Sequence, residues 1–257
     1  MRIFFITTND RIFLPFFFDK VFSNIDYEIV GVAAADDPNF KKFLINSFSF
    51  MGFRLFACEV INQVKVRLLD IARKIFTPNR KHSIQSVCGK YSIPFSNITR
   101  VNTKSFRSFL KNQQIDVLVS VACPQILRKR ILNIPSKAAI NIHYALLPHY
   151  RGQYPSFWVL AHGEEYTGVS VHYMVEKVDA GDILIQLKEK ITPDDTFYSL
   201  VKRLKTTIGP KALIMALDKI NKNDSSTIKN NPDNGSYFSF PTKTDMAEFK
   251  KRGRKWR

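Results

Sequence analysis

Residues 115–122 read IDVLVSVA, one charge near the start and then a near-continuous apolar run rich in valine. A run of that length and composition is the pattern of a strand buried on both faces, as in the middle of a parallel sheet. Working outward, residues 138–142 (AAINI) give a second such strand and residues 2–8 (RIFFITT) a third. Residues 27–35 (YEIVGVAAA) give a fourth, closed by Asp36-Asp37-Pro38. Between the last two, residues 11–23 carry a helical pattern that Pro15 interrupts early. Strand, helix and strand in that order predict a parallel pair with a right-handed crossover. The spacing further predicts helices over 83–90, 105–113, 155–162 and 195–217, a strand edge at 93–98 and alternating strands at 167–175 and 183–191. Pro, Asn, Asp and Ser collect between Asn221 and Ser236, as in a loop. The fold class is therefore α/β, a mostly parallel sheet with helices on both faces. Residues 1–220 are read as the main domain, with a helical insertion over 40–76, and residues 221–257 as a basic extension.

The chain has 257 residues, 45% of them hydrophobic, enough to bury a full core. Lys and Arg number 39 against 22 Asp and Glu, a formal charge of +17. That sign favours anionic partners, although it serves solubility equally well. Basic residues crowd the end of the chain at Lys250, Lys251, Arg252, Arg254, Lys255 and Arg257. The three cysteines form no CxxC pair and no metal-ligand spacing, which points to a reducing compartment and to no metal. The apolar start is broken at Asn9-Asp10-Arg11, so no signal peptide is read. The longest stretch without Asp, Glu, Lys or Arg runs from 138 to 150, shorter than the roughly 18 residues of a membrane span. A cytoplasmic protein is expected, with contact to the inner membrane surface left open.

The insertion is unusual. Ala57, Ile61, Val64, Leu68, Ile71 and Ile75 recur at helical steps, with Glu59, Gln63, Lys65, Arg67, Arg73 and Lys74 around them. The stretch from Phe43 to Phe56 is apolar nearly all round. Packing on the core, a homodimer surface and an interfacial membrane helix are three readings of it.

Several familiar sites are missing: no Gly-rich dinucleotide fingerprint, no phosphate loop ending in Gly-Lys-Ser/Thr, no Gly-x-Ser-x-Gly elbow and no His-Glu-x-x-His helix. What stands out is residues 139–152, AINIHYALLPHYRG. Asn141 and His143 lie two residues apart at and just past the carboxyl end of a buried strand, so their side chains share a side. Ligands of open α/β sheets sit at those ends. The plainer reading is an Asn/His pair tying the strand to a loop. A second element, Val178-Asp-Ala-Gly-Asp-Ile-Leu184, is a turn in which Asp179 or Asp182 could reach the first, or simply face solvent.

These pieces in register carry a resemblance. Asn141-x-His143, Leu146-Leu-Pro-x-Tyr-Arg-Gly152, Gly168-Val-Ser-Val-His172 and Val178-Asp-x-Gly-Asp-Ile183 resemble the folate-dependent formyltransferases. That family takes in methionyl-tRNA, glycinamide ribonucleotide and sugar-nucleotide formyltransferases. The match is close from Ile115 to Leu204, and the insertion and the end of the chain lie outside it.

The resemblance implies a Rossmann-like fold and 10-formyltetrahydrofolate as co-substrate, with no metal. It places the family's catalytic Asn, His and Asp on Asn141, His143 and Asp179. A substrate amine would attack the formyl carbon while Asn141 and a protonated His143 donate to the formyl oxygen, and Asp179 would orient the imidazole and relay the proton. By the same resemblance the pterin ring would lie along Gln125, Ile126 and Leu127, with Lys177 and Val178 on the opposite wall. The family usually has serine where this chain has Ala145, so any help from that hydroxyl is missing.

For the acceptor, elimination is the guide. Residues 220–257 are too few for the further C-terminal domain of methionyl-tRNA formyltransferases. Thr7-Thr-Asn-Asp-Arg11 stands where glycinamide ribonucleotide enzymes have a Gly-rich phosphate loop, and formyltetrahydrofolate hydrolases add an N-terminal regulatory domain. A nucleotide-linked amino sugar for a surface polysaccharide such as lipopolysaccharide is the remaining expectation, with Arg151 suited to its diphosphate. The alternatives are another amine, of the methionyl-tRNA or glycinamide ribonucleotide type, and a non-catalytic anion-binding protein. Aromatics and bases interleave between Tyr237 and Trp256 as in single-strand binders, but no stable nucleic-acid partner is expected.

Overall fold

The computed structural model describes residues 1–76 and 83–257, with the side chains of 70–76 excepted. The expected linker at Thr77-Pro78-Asn79 lies outside the described residues. In chain order the elements are β1 (Arg2–Thr7), α1 (Leu14–Phe22), β2 (Glu28–Ala35), α2 (Phe40–Phe76), α3 (Ile84–Lys90), β3 (Phe95–Ile98), α4 (Lys104–Asn112), β4 (Val117–Val121), α5 (Lys129–Leu132), β5 (Ala138–His143) and β6 (Arg151–Gly152). There follow α6 (Pro155–His162), β7 (Tyr166–Tyr173), β8 (Ile183–Lys190), α7 (Phe197–Arg203), α8 (Gly209–Asn221), β9 (Tyr237–Phe238) and α9 (Lys243–Lys251).

Among the described residues, seven strands form one sheet in the order β3-β2-β1-β4-β5-β7-β8. The valine run is its centre. β4 is buried along its whole length and pairs in parallel with β1 on one side and β5 on the other. The first five strands in that order run parallel, while β7 and β8 are added antiparallel. The sheet is therefore mostly parallel, and the class is α/β as read from the sequence. Alternate side chains of the inner strands feed two apolar clusters, one on each side. Phe5, Val119 and Ile140 belong to the larger cluster, with α1, α6 and α8. Phe4, Leu118 and Ala139 belong to the smaller, with α4 and α5.

Two helical readings need correction. Pro15 does not interrupt α1; it sits in the first turn, where its missing N–H has no partner to lose. The helix expected over 195–217 is divided into α7, a π-type turn over Leu204–Ile208, and α8, which opens with Gly209-Pro210. Pro210 cannot donate to the carbonyl four residues back, and the helix widens just before it.

The segment read as an insertion is α2, broken at Gly52, whose φ of 73° and ψ of 168° are not helical. One side packs on the core. Phe50 is buried against Phe157, Phe240 and Trp256. The other side is bare. Ile45 is 69% exposed, Phe53 74% and Leu68 60%. The expectation that no segment is apolar enough to span a bilayer fails here, because Phe40–Leu69 is long and apolar enough by length and composition. Isolated charges at Arg54 and Glu59 break it into short charge-free runs, which is why a continuous-run criterion passes over it.

Residues 221–257 fold back on the body. β9 pairs with β6, α9 buries Met246 and Phe249, and Trp256 stacks on Phe197 with centroids 4.1 Å apart.

Candidate active site

The site forms where the sheet changes direction. β5 is parallel to β4 and antiparallel to β7, and the β5–β7 register sets Asn141 opposite His172 and His143 opposite Ser170. All four are polar side chains in strands that are otherwise largely apolar. His143, Ser170 and His172 are buried.

The turn after β7 brings Asp179 onto this group. Its Oδ2 lies 3.5 Å from His143 Nδ1, and its Oδ1 lies 3.5 Å from His172 Nε2. Asn141 Nδ2 donates to Asp179 Oδ1 at 3.4 Å and lies 3.2 Å from His172 Nε2. The expected trio of Asn141, His143 and Asp179 thus meets in space, with His172 as a fourth member. His172 was quoted in the sequence motif without a role. Its signal was there, since Ser170 and His172 are two polar residues on one face of an apolar strand.

Three fixtures hold Asp179 in place. Gly152 N donates to Oδ2 at 3.0 Å. Asn230, buried, donates through Nδ2 to the carbonyls of Asp179 and Gly181, each at 2.9 Å. Asp179 itself takes a left-handed φ of 51°, which aspartate tolerates better than most residues. Gly181 is required beside it, because a Cβ there would lie 2.0 Å from the Tyr173 carbonyl. Asp182, the other candidate, faces away: it pairs with Lys229 at 2.7 Å and accepts from Asn230 N.

Burial works against the Asp179 anion, but His143, His172 and the Gly152 amide together outweigh it and hold the carboxyl well below the usual range. Burial pushes the His143 imidazole down, although Asp179 pushes it back up. The carboxyl is thus pushed toward its charged form and the imidazole, by burial, away from its own. His143 Nε2 contacts the Tyr150 carbonyl at 2.7 Å; a carbonyl only accepts, so Nε2 carries the proton. In the same way His172 Nδ1 donates to the Tyr173 carbonyl at 2.8 Å, leaving Nε2 to face Asn141. The cluster can donate hydrogen bonds to a developing oxyanion and can take a proton onto a ring whose cationic form would find a carboxylate waiting.

The other expected residues are more scattered. Gln125 is a clip: its side chain donates to the Asp36 and Thr99 carbonyls at 2.7 and 2.8 Å and accepts from Val101 N at 3.1 Å. Leu127 is buried in the smaller apolar cluster, and Ile126 is 66% exposed. All three lie on the turn that leaves the carboxyl end of β4, the strand next to β5. Lys177 is exposed, 3.8 Å from Asp233, and Val178 is half-buried beside Asp179. Arg151 is buried next to Gly152; its Nη2 donates to the Pro232 carbonyl and its Nε is buried without a partner. Among the described residues no carboxylate lies within ion-pair distance of it.

Comparison with known proteins gives this geometry a setting. The Formyl transferase family matches residues 61–217, more than half of the chain. The match reaches upstream to Ile61 and so takes in the second half of α2, which the motifs from Ile115 onward had left out. Methionyl-tRNA formyltransferase of Thermotoga maritima is 29% identical over 206 residues, covering 77% of this chain and 66% of that protein. The first curated relatives are spanned over 58–66% of their own length. A sugar N-formyltransferase from Shewanella superposes with a TM-score of 0.57 at 17% identity, over 93% of this chain and 76% of its own. A sugar 3N-formyl transferase solved with dTDP and 5-N-formyl-THF gives a TM-score of 0.58 at 18% identity, over 93% and 69%. On the match over residues 61–217, the chain belongs to the formyl transferase family.

Proposed function

We propose that this protein transfers a formyl group from 10-formyltetrahydrofolate to the amine of a nucleotide-linked amino sugar. The observation that carries the transfer is the joining of Asn141, His143 and Asp179 within 3.5 Å contacts at the carboxyl end of β5. As the amine attacks the formyl carbon, Asn141 and His143 Nε2 donate to the oxygen on which charge builds. Both donors must turn, from Asp179 and from the Tyr150 carbonyl respectively. Asp179 then takes up the amine's proton and passes it to His143 Nδ1, while Nε2 gives its own proton to the leaving folate nitrogen. The pterin is assigned, by the family resemblance, to the turn of Gln125, Ile126 and Leu127 after β4 and to Lys177 and Val178 beside Asp179, with exposed Ile126 as an apolar contact.

Arg151 favours a diphosphate-bearing acceptor. A buried guanidinium with an idle Nε and no carboxylate partner suits phosphate oxygens. The dTDP present with one structural neighbour is consistent with such an acceptor. The curated relatives support a second reading, in which the amine is that of methionyl-tRNA. Incubating the full chain with 10-formyltetrahydrofolate and, in turn, nucleotide-linked amino sugars and charged initiator tRNA separates the two. A formyl mass gain on a sugar nucleotide is expected. Gain on the tRNA alone would replace this acceptor with the other, and gain on neither, with folate bound, would leave a binding protein.

A further inference from the structure

Among the described residues, the face of α2 turned away from the body has no partner. Ile45, Phe48, Phe53, Ile61, Val64 and Leu68 are all exposed along it, between 48% and 74%. Soluble proteins seldom leave so long an apolar stripe bare. The charges around it decide what covers it. Between Phe40 and Leu69 the only acid is Glu59, and it is taken up by Trp256 Nε1 at 3.0 Å and by both arms of the Arg257 guanidinium. Lys41, Lys42, Arg54, Lys65 and Arg67 remain exposed. The same contacts bring the basic end of the chain against α2, adding exposed Lys250, Lys251, Arg252 and Lys255 to the neighbourhood.

We infer that α2 is an interfacial anchor that lays its apolar face into an anionic phospholipid bilayer, with the flanking lysines and arginines on the headgroups. A second copy of the chain is a poorer fit, because two such faces would bring like charge onto like charge, and lysine is depleted in protein interface cores. A spanning helix is a poorer fit as well. The backbone breaks at Gly52, Arg54 follows at once, and Phe50 on the opposite side is held in the aromatic core by Phe157 and Trp256. A helix pinned to the body along one side and bare along the other lies on a membrane; it does not cross one. The inference is independent of the acceptor and of the reaction.

The test is flotation of the full chain with vesicles of phosphatidylcholine alone and of phosphatidylcholine mixed with phosphatidylglycerol. Binding to the anionic vesicles at low salt is expected, weakening with salt, at about fivefold per cation engaged. Phe53→Asp combined with Ile61→Asp should abolish it; both side chains are more than half exposed, so folding and any soluble-acceptor activity should be unchanged. Lys65→Glu with Arg67→Glu should weaken it at least about tenfold. A protein that stays off anionic vesicles at low salt overturns the inference. So does vesicle binding that the Phe53 and Ile61 changes leave intact, or a stable dimer by sedimentation that those changes dissociate.

Discussion

The amide of Gly152 donates to Oδ2 of Asp179 at 3.0 Å, joining the loop after β5 to the turn after β7 across 27 residues of chain. One oxygen of the carboxylate is thereby fixed toward His143 and the other left to Asn141 and His172. Gly152 holds a φ of 94°, and a Cβ there would lie 2.3 Å from the Phe238 carbonyl. Gly152→Ala should therefore cost about 1–3 kcal/mol in chemical unfolding and lower turnover as well, because the donor to Asp179 moves. A variant with unchanged stability and turnover would show that the loop accommodates the methyl group without disturbing the carboxylate.

Replacing the reactive groups tests the assignment itself. His143→Ala, Asn141→Ala and Asp179→Ala should each lower turnover by at least about a hundredfold with the fold intact by circular dichroism. Asp182→Ala removes the pair with Lys229 and a 3.3 Å acceptor for Asn230 N, but nothing that touches His143, and should be mild. If Asp182→Ala were as damaging as Asp179→Ala, the roles of the two aspartates would have to be reassigned.

Much of this was legible beforehand. β1, β2, β4 and β5 lie within about two residues of their predicted bounds, since runs such as VLVSV can only be buried on both faces. Asn141, His143 and Asp179 were identifiable because their motifs resemble a family. What could not be read is what depends on contact at long range. That the Gln125 side chain clips the backbone of residues 36, 99 and 101 is one such contact, which no spacing announces. The proton on His143 is governed by burial and by the Tyr150 carbonyl, neither visible from spacing.

Asn230 lies far from the motifs, yet its side chain holds the turn that carries Asp179. Asn230→Ala leaves two buried carbonyls short of a donor and should cost about 1–3 kcal/mol in stability. A role confined to packing would leave the pH–rate profile of the surviving activity where it was. A role in positioning Asp179 should shift the profile, and an unmoved profile would rule it out.

Stability should fall as the solution becomes acid. The folded-state pKa of His143 is depressed, so below about 6.5 the unfolded chain takes up a proton that the folded chain refuses, and stability drops as pH falls through that value. Asp179 is depressed as well; its contribution is present above about 3.9 and is lost on further acidification. Urea midpoints between pH 7.5 and 5 should decline, and His143→Gln should flatten the decline. An equal slope in that variant would place the titration elsewhere.

The cysteines give an independent check on packing. Burial pushes the Cys88 thiol up to about 12 and the Cys123 thiol up to about 11, whereas Cys58 is exposed. At pH 8 a thiol reagent should modify exposed Cys58 rapidly in the native protein, half-buried Cys123 more slowly, and buried Cys88 only on unfolding. Rapid reaction of Cys88 would mean that the contact of α3 with the core opens easily.

The antiparallel return of β7 along β5 also bears on how the molecule comes together in time. Asn141 and Asp179 are 38 residues apart, and Asn141 and His172 only 31, while the pairing that closes the sheet centre joins Arg2 to Asp116, 114 residues away. Closing a loop grows costlier with its length, and short-range contacts lead in folding. Yet the Asp179 turn is clipped by Asn230 from 51 residues downstream, and the loop after β5 is tied to Ser236 across 86 residues. During synthesis the reactive corner therefore stays unfinished until the chain has grown past residue 236.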